Sequence, residues 1–397
     1  MTIWKRSLTG LMLLILLRPA FCYAGPELNA TAAILINGRT GEVLWGKEID
    51  RRMHPASTTK IMTAILLLEN ASLDEIATVS SQAACTSGSS LYLTEGQSIS
   101  ITDLLFAIMI HSANDAAVVA AEHVAGSIPA FAAMMNQKAL QAGARYSQFV
   151  NPHGLTESGH LTTAYDLAMI ARYAMKNPLF RQIVATESYP ISWSEGEGRL
   201  LLNKNSLLGR YEGILGIKSG YTVEAQRTFV AAAERNGMEL IAVVLQSKGS
   251  GVWEDAEVLL DYGFDHFAVV EAVKKGEVLA TSPVRYGGDA FLEAAEDFSF
   301  TRLKGPVDVK LDVRVNEKLK APILQGQSLG EVLVLCDGIP VGSTDLVAVQ
   351  AVPRVYLAMS RFWLFYAFCG LASLRIRKLY RRRRRRKRSF YRHNRMM

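Results

Sequence analysis

Residues 54–68 read His54-Pro55-Ala56-Ser57-Thr58-Thr59-Lys60 and then Ile61-Met62-Thr63-Ala64-Ile65-Leu66-Leu67-Leu68. The second half is apolar on nearly every side of a helix, so it has no solvent face and the rest of a domain must enclose it. Ser57 and Lys60 stand three apart at the head of that helix and share one face of it. A lysine there is partly desolvated, which favours its neutral amine. A neutral amine beside a hydroxyl is a general base beside a nucleophile. Taken alone, S-x-x-K also describes the start of an ordinary surface helix, so the chemistry needs support from elsewhere in the chain.

The 397 residues leave room for two domains and terminal extras. The formal charge of +7 misleads: thirteen Lys/Arg lie between Arg375 and Arg395, where no acidic residue occurs. That block exceeds the whole basic surplus, so the body of the chain is net acidic and is not a nucleic-acid-binding surface. The arginine block itself also reads as a nucleic-acid contact, but its place beside an apolar segment favours a membrane. Of the four cysteines, Cys22 and Cys369 lie in terminal apolar segments, and Cys85 and Cys336 are far apart. There is no C-x-x-C and no metal-ligand spacing, so neither a disulfide framework nor zinc is expected.

Residues 1–24 have the shape of a secretory leader: Lys5 and Arg6, an apolar core Leu11–Leu17, then Cys22-Tyr23-Ala24 before Gly25-Pro26. Residues 355–374 are mostly apolar with one charge, Arg361, and the basic tail 375–397 follows at once. Lysine and arginine collect on the cytoplasmic side of a span. The expectation is an exported body, a membrane-spanning or membrane-anchoring helix and a cytoplasmic tail, with an in-plane amphipathic anchor as the alternative.

Between these ends, 33–36 and 42–45 read as a hairpin around Asn37–Gly41. Residues 100–185 carry helical patterns at 102–110, 115–124, 128–142 and 162–175, with Thr162 or Thr163 as a cap. Strands return around Lys218, and 227–232 and 238–245 flank Asn236-Gly237, a hairpin turn signal. A closing helix is expected over 253–262. Strands at both ends and helices between predict one α/β domain over 25–265, a sheet plus a helical lobe. From 268 to 353 the pattern changes. Residues 307–315 alternate strictly, and Asp337-Gly338 marks another hairpin, so a small all-β domain is expected.

Two further segments join Ser57 and Lys60. Ser112-Ala113-Asn114 sits where one helix pattern ends and the next begins. Lys218-Ser219-Gly220, followed by Tyr221, leads into the returning strands and supplies a second cation, a hydroxyl and a glycine that admits close backbone approach. Singly, these read as a helix cap and a strand-edge turn. In the order S-x-x-K, S-x-N, K-[ST]-G they match the signature of penicillin-interacting serine acyl-transferases. With Gly88-Ser89-Ser90, Asn151-Pro152-His153-Gly154-Leu155 and the Asn203–Thr222 run, the chain resembles the D-alanyl-D-alanine carboxypeptidase family of low-molecular-mass penicillin-binding proteins. It departs at Ala113 and Gln226, where the family usually has glycine, and at Ser219, where it has threonine.

The resemblance implies a serine β-lactamase/penicillin-binding-protein-like catalytic domain, a small all-β domain and a C-terminal membrane anchor. It implies removal of the terminal D-alanine from peptidoglycan stem pentapeptides, acylation by β-lactams, no cofactor, no metal and no nucleic acid. Ser57 would be the nucleophile, Lys60 the base and Ser112 the proton relay. Asn114, Lys218, Ser219, Gly220 and Tyr221 would bind substrate, and the backbone N–H groups of Ser57 and Tyr221 would hold the oxyanion. The catalytic domain would face outward from a bacterial cell membrane. The alternatives are a DD-endopeptidase or transpeptidase, a β-lactamase on the same fold, and an inactive wall-binding scaffold. The E-x-x-L-N pattern of such lactamases is absent between Ser112 and Lys218.

Overall fold

The computed structural model describes residues 25–191, 198–355 and 357–393; the expected leader, 1–24, lies outside them. The chain divides into two compact units, residues 1–267 and 268–397.

In the first unit the strands Ala32–Asn37 and Val43–Lys47 pair antiparallel. Ala32–Asn37 then pairs on its other edge with Met238–Ser247, which continues through Gln226–Arg235 to Ile214–Thr222. One five-stranded antiparallel sheet thus unites the two ends of the unit. Asn236 (φ 50°) and Gly237 (φ 76°) take the left-handed backbone that a two-residue hairpin requires. The helix Gly251–His266 packs on the sheet where Gly263 meets Leu240 and Leu35, and where Trp253 stands edge-on to Phe229.

The helical lobe is built around Lys60–Asn70, in which Lys60 through Leu67 are all buried. Its neighbour Asn114–Ala125 buries Ala116, Ala117, Ala120 and Ala121, and these small side chains let the two helices approach closely. Ile101–Phe106 runs on as a wider π turn over Ala107–His111 and stops at Ser112, whose φ of 68° is left-handed. The pattern at 102–110 gave one uniform helix; the widening at its end carries the chain sharply to Ser112. Thr163 caps Ala164–Met175 by accepting from Asp166 N.

In the second unit, Phe267–Val273 pairs with Phe298–Leu303, and five strands form a sheet in the spatial order 278–283, 289–294, 339–348, 328–336, 309–315. Val332, Val334, Leu292 and Leu346 are fully buried in its core. Asp337 (φ 50°) and Gly338 (φ 83°) make the foreseen hairpin turn. A single helix, Leu357–His393, follows without a break at residue 375. Phe362, Trp363, Leu364, Phe365, Phe368, Leu371 and Leu374 on it are exposed. Among the described residues, no single helix is long and apolar enough to cross a membrane. Cys85, Cys336 and Cys369 are free thiols.

Asp166 is a structural tie whose strength can be measured. It is fully buried, and its carboxylate accepts from Arg145 N (2.7 Å), Tyr146 N (2.8 Å) and Ser147 Oγ (2.7 Å). Asp166→Ala strands these donors and is expected to cost about 3 kcal/mol in urea unfolding, with Asp166→Asn costing less. A loss below about 1 kcal/mol would show that the 145–147 segment is held by other means.

Candidate active site

The site forms where the head of the Lys60–Asn70 helix, the Ser112 turn and the Ile214–Thr222 strand converge. Ser57 lies on a single tight helical turn, Ala56–Thr59, immediately before the longer helix. Ala56 there has a φ of 50°, unusual for a residue with a Cβ. Two hydroxyls fix this entry by donating to Pro55 O: Thr58 Oγ1 at 2.7 Å and Thr228 Oγ1 at 3.0 Å. The second reaches across from the sheet.

Glycines let the surrounding backbone close in. A Cβ on Gly220 would lie 2.6 Å from Ser57 N, so only glycine lets the Lys218 strand run alongside the Ser57 turn. A Cβ on Gly154, at φ 88°, would lie 1.8 Å from Ala56 O. The loop containing Gly154 is pinned to the helix by its carbonyls: Thr63 Oγ1 donates to Pro152 O, and Lys60 Nζ donates to His153 O at 2.8 Å.

Lys60 is completely buried, with Nζ 3.1 Å from Ser57 Oγ and 2.6 Å from Asn114 Oδ1. Burial holds its pKa well below the ordinary lysine value. The positive charges of Lys218 and Lys204 push the same way, against a smaller opposing pull from Asp115. Lys218, 2% exposed, is lowered to about 7 by burial and then by Lys204. Its Nζ donates to Ser219 O at 3.1 Å.

Asn114 uses both ends of its amide. Oδ1 accepts from Lys60, while Nδ2 donates to Ser87 O at 2.7 Å. Ser112 is 4% exposed, two residues before Asn114 at the end of the π turn. Ser219 and Tyr221 sit on the strand opposite Phe229 and Arg227. The Tyr221 side chain points to solvent, with the Arg227 guanidinium 5.7 Å from its ring centre. Interatomic contacts therefore join Ser57, Lys60 and Asn114, and Gly220 lies against the Ser57 backbone. Lys218 is coupled to Lys60 through charge, and Ser112 adjoins Asn114 along the chain.

Several contributors escaped the sequence reading. Lys204 donates to Ser89 Oγ, and burial lowers its own pKa. Asp115, fully buried, accepts from Leu91 N and Leu93 N and so holds the 90–93 segment beside Asn114. His160 accepts from Val150 N at Nδ1, so its proton is on Nε2 and is donated to Thr59 Oγ1 at 2.9 Å. Burial and then His54 lower its pKa to about 4. Burial and then Lys60 lower that of His153 to about 3. Both imidazoles are neutral struts. The Asn203–Thr222 run contained Lys204, but only the fold shows that its charge meets two other lysines. Gln226, where the resemblance predicted glycine, has a φ of 52°: the backbone keeps the glycine-like conformation although the side chain has changed. Among the described residues, no His, Cys, Asp and Glu cluster could hold a metal ion.

Comparison with known proteins identifies relatives of both units. The profile described as D-alanyl-D-alanine carboxypeptidase matches residues 20–249, and that described as penicillin-binding protein 5, C-terminal domain, matches residues 267–354. D-alanyl-D-alanine carboxypeptidase DacF of Bacillus subtilis is 33% identical over 83% of this chain and 89% of its own length. DacA of Escherichia coli K12 is 30% identical over 83% and 85%. Among solved structures, penicillin binding protein 5 from Haemophilus influenzae superposes with a TM-score of 0.72. It is 27% identical, covering 83% of this chain and 99% of that one.

The close approach at Gly220 gives a direct test. Gly220→Ala must push the strand off the Ser57 turn. A displacement near 1 Å is expected to slow acylation of Ser57 by about 10²-fold while thermal unfolding shows a folded protein. An unchanged acylation rate would mean that this strand does not set the position of Ser57.

Proposed function

Because the chain belongs to the D-alanyl-D-alanine carboxypeptidase family, we propose that Ser57 is its nucleophile and Lys60 the base that activates it. The chain is a serine-type D-Ala-D-Ala carboxypeptidase. The observation that carries the residue roles is the fully buried Lys60 amine, 3.1 Å from Ser57 Oγ and with its pKa pushed well down. A neutral amine has two hydrogens and one lone pair. Asn114 Oδ1 at 2.6 Å and His153 O at 2.8 Å take the hydrogens, which leaves the lone pair for the Ser57 hydroxyl proton.

Ser57 Oγ would attack the carbonyl carbon of the penultimate D-alanine as its proton passes to Lys60. The oxyanion would lie between the N–H groups of Ser57 and Tyr221, each such donor being worth about 10²–10³ in rate. On collapse, the C–N bond breaks and the proton leaves Lys60 through Ser112 for the departing D-alanine amine. Water then cleaves the ester and regenerates Ser57. Lys218, Ser219 and Gly220 would receive the terminal carboxylate, and Asn114 would orient the peptide through its remaining amide capacity. The substrate in the cell would be the peptidoglycan stem peptide, with β-lactams acylating the same serine.

The leader pattern and the Arg375–Arg395 block support an extracytoplasmic catalytic unit at a bacterial cell membrane. The helix Leu357–His393 would hold it there through its exposed apolar residues, with the arginines against anionic headgroups.

The first experiment is D-alanine release from a peptide ending in D-Ala-D-Ala. Wild type is expected to release it and Ser57→Ala is not; equal release from both would place the nucleophile elsewhere. The lysines set the pH profile of kcat/KM. Lys60 must be neutral, so activity falls as pH drops through its lowered pKa. Lys218 must be charged, so activity also falls as pH rises through about 7. Lys204→Met removes a positive neighbour of both amines, raises both pKa values and is expected to move both limbs to higher pH. A profile unmoved by that change would disconnect Lys204 from the site.

A further inference from the structure

Three separate stretches of the second unit meet at the foot of its final helix. Arg285 N donates to Leu319 O and Ala321 N donates to Arg285 O, both at 2.9 Å, so 285 and 319–321 run side by side. Gly287 lies against Val352 and Ala321, where a Cβ would come within 2.8 Å and 3.1 Å of their side chains. Val355 N donates to Tyr286 O at 2.7 Å, two residues before the helix begins at Leu357.

This junction gathers exposed cations around one aromatic ring. Tyr286 is 40% exposed, with the guanidinium carbons of Arg285 and Arg354 at 4.8 Å and 5.3 Å from its ring centre. Both are within the reach of a cation–π contact, which holds the two side chains in place. Lys318 and Lys320 are exposed on the neighbouring stretch. Segments 284–288, 318–324 and 351–355 contain no acidic residue in a body that is otherwise net acidic, with the exposed Asp289 and Glu317 at their borders. Leu324 beside them is 70% exposed.

We infer that the face formed by Arg285, Tyr286, Lys318, Lys320 and Arg354 is a seat for anionic lipid headgroups. The inference rests on the reading of Leu357–His393 as a membrane-holding helix. Continuity with that helix identifies the partner: an anchor starting at Leu357 leaves Arg354 and Val355 at the headgroup layer. Tyrosine favours that depth, with its ring in the interface and its hydroxyl in water. Each Lys or Arg near an anionic surface raises partitioning about five-fold, so the cluster would hold the β unit down on the bilayer instead of letting it swing on its tether.

The test uses the full-length chain reconstituted in vesicles of phosphatidylcholine alone, or of equal parts phosphatidylcholine and phosphatidylglycerol. Flotation reports attachment. Acylation of lysine amines by a water-soluble reagent, read by mass spectrometry, reports exposure, with the exposed Lys274 as internal reference. In the phosphatidylglycerol vesicles, labelling of Lys318 and Lys320 relative to Lys274 is expected to fall about five-fold and to recover in high salt. Arg285→Gln combined with Arg354→Gln is expected to weaken that protection. Flotation with no protection overturns the lipid seat and leaves the anchor standing. Equal, salt-insensitive protection in both vesicles also overturns it, since the helix alone would then bring the face near the bilayer. Failure to float in either vesicle removes the anchor reading and the seat with it.

Discussion

The site depends on keeping an amine out of water. A buried ammonium is costly, and a chain that encloses Lys60 so completely makes the neutral form the cheaper state. The surroundings fit a neutral amine: two acceptors within 2.8 Å, no carboxylate in hydrogen-bond contact, and two more lysines whose charges oppose protonation. Asp115 is turned to the N–H groups of Leu91 and Leu93. It therefore braces the wall of the site, and its charge offsets only a smaller part of what burial and the two lysines do to Lys60.

That enclosure depends on the sheet. The Lys218 strand is the edge strand of the five, held by its antiparallel pairing with Gln226–Arg235, where Lys218 stands opposite Val230. Its approach to Ser57 is permitted by the missing Cβ at Gly220 and fixed by the Thr228 hydroxyl on Pro55 O. On the other side, Gly154 permits the loop whose carbonyls hold Lys60 and Thr63. The close contacts come from backbone. That explains why small changes at these glycines are expected to displace the reacting atoms even where the core is untouched.

Much of this was legible in the sequence. The fully apolar run after Lys60, the Asn236-Gly237 and Asp337-Gly338 turns and the strict alternation before residue 315 each follow from local periodicity or turn chemistry. The short pairs 76–78 with 98–100 and 188–191 with 199–202 were missed, because strands of three or four residues carry little periodicity. The π turn was missed because its residues, Ala107–His111, look helical and only the register of hydrogen bonds changes. Lys204 was hidden for another reason. A lone lysine in a loop has no pattern, and its influence on Lys60 and Lys218 exists only through space. His160 was likewise invisible as a strut until its two nitrogens could be given separate partners.

Burial, and then the charge of Lys204, disfavour the charged form of Lys218 before substrate arrives. On the proposed reading, the substrate carboxylate draws a full proton onto it, since an opposite charge favours the charged form. Viewed from Lys60, the arriving anion and the new cation then cancel. Burial and the charge of Lys204 then still hold the pKa of Lys60 down. An anionic substrate would otherwise raise the pKa of Lys60 and protonate the group that must accept the serine proton. A cation paired with that carboxylate avoids this, which is the part the buried Lys218 would play beside Lys60.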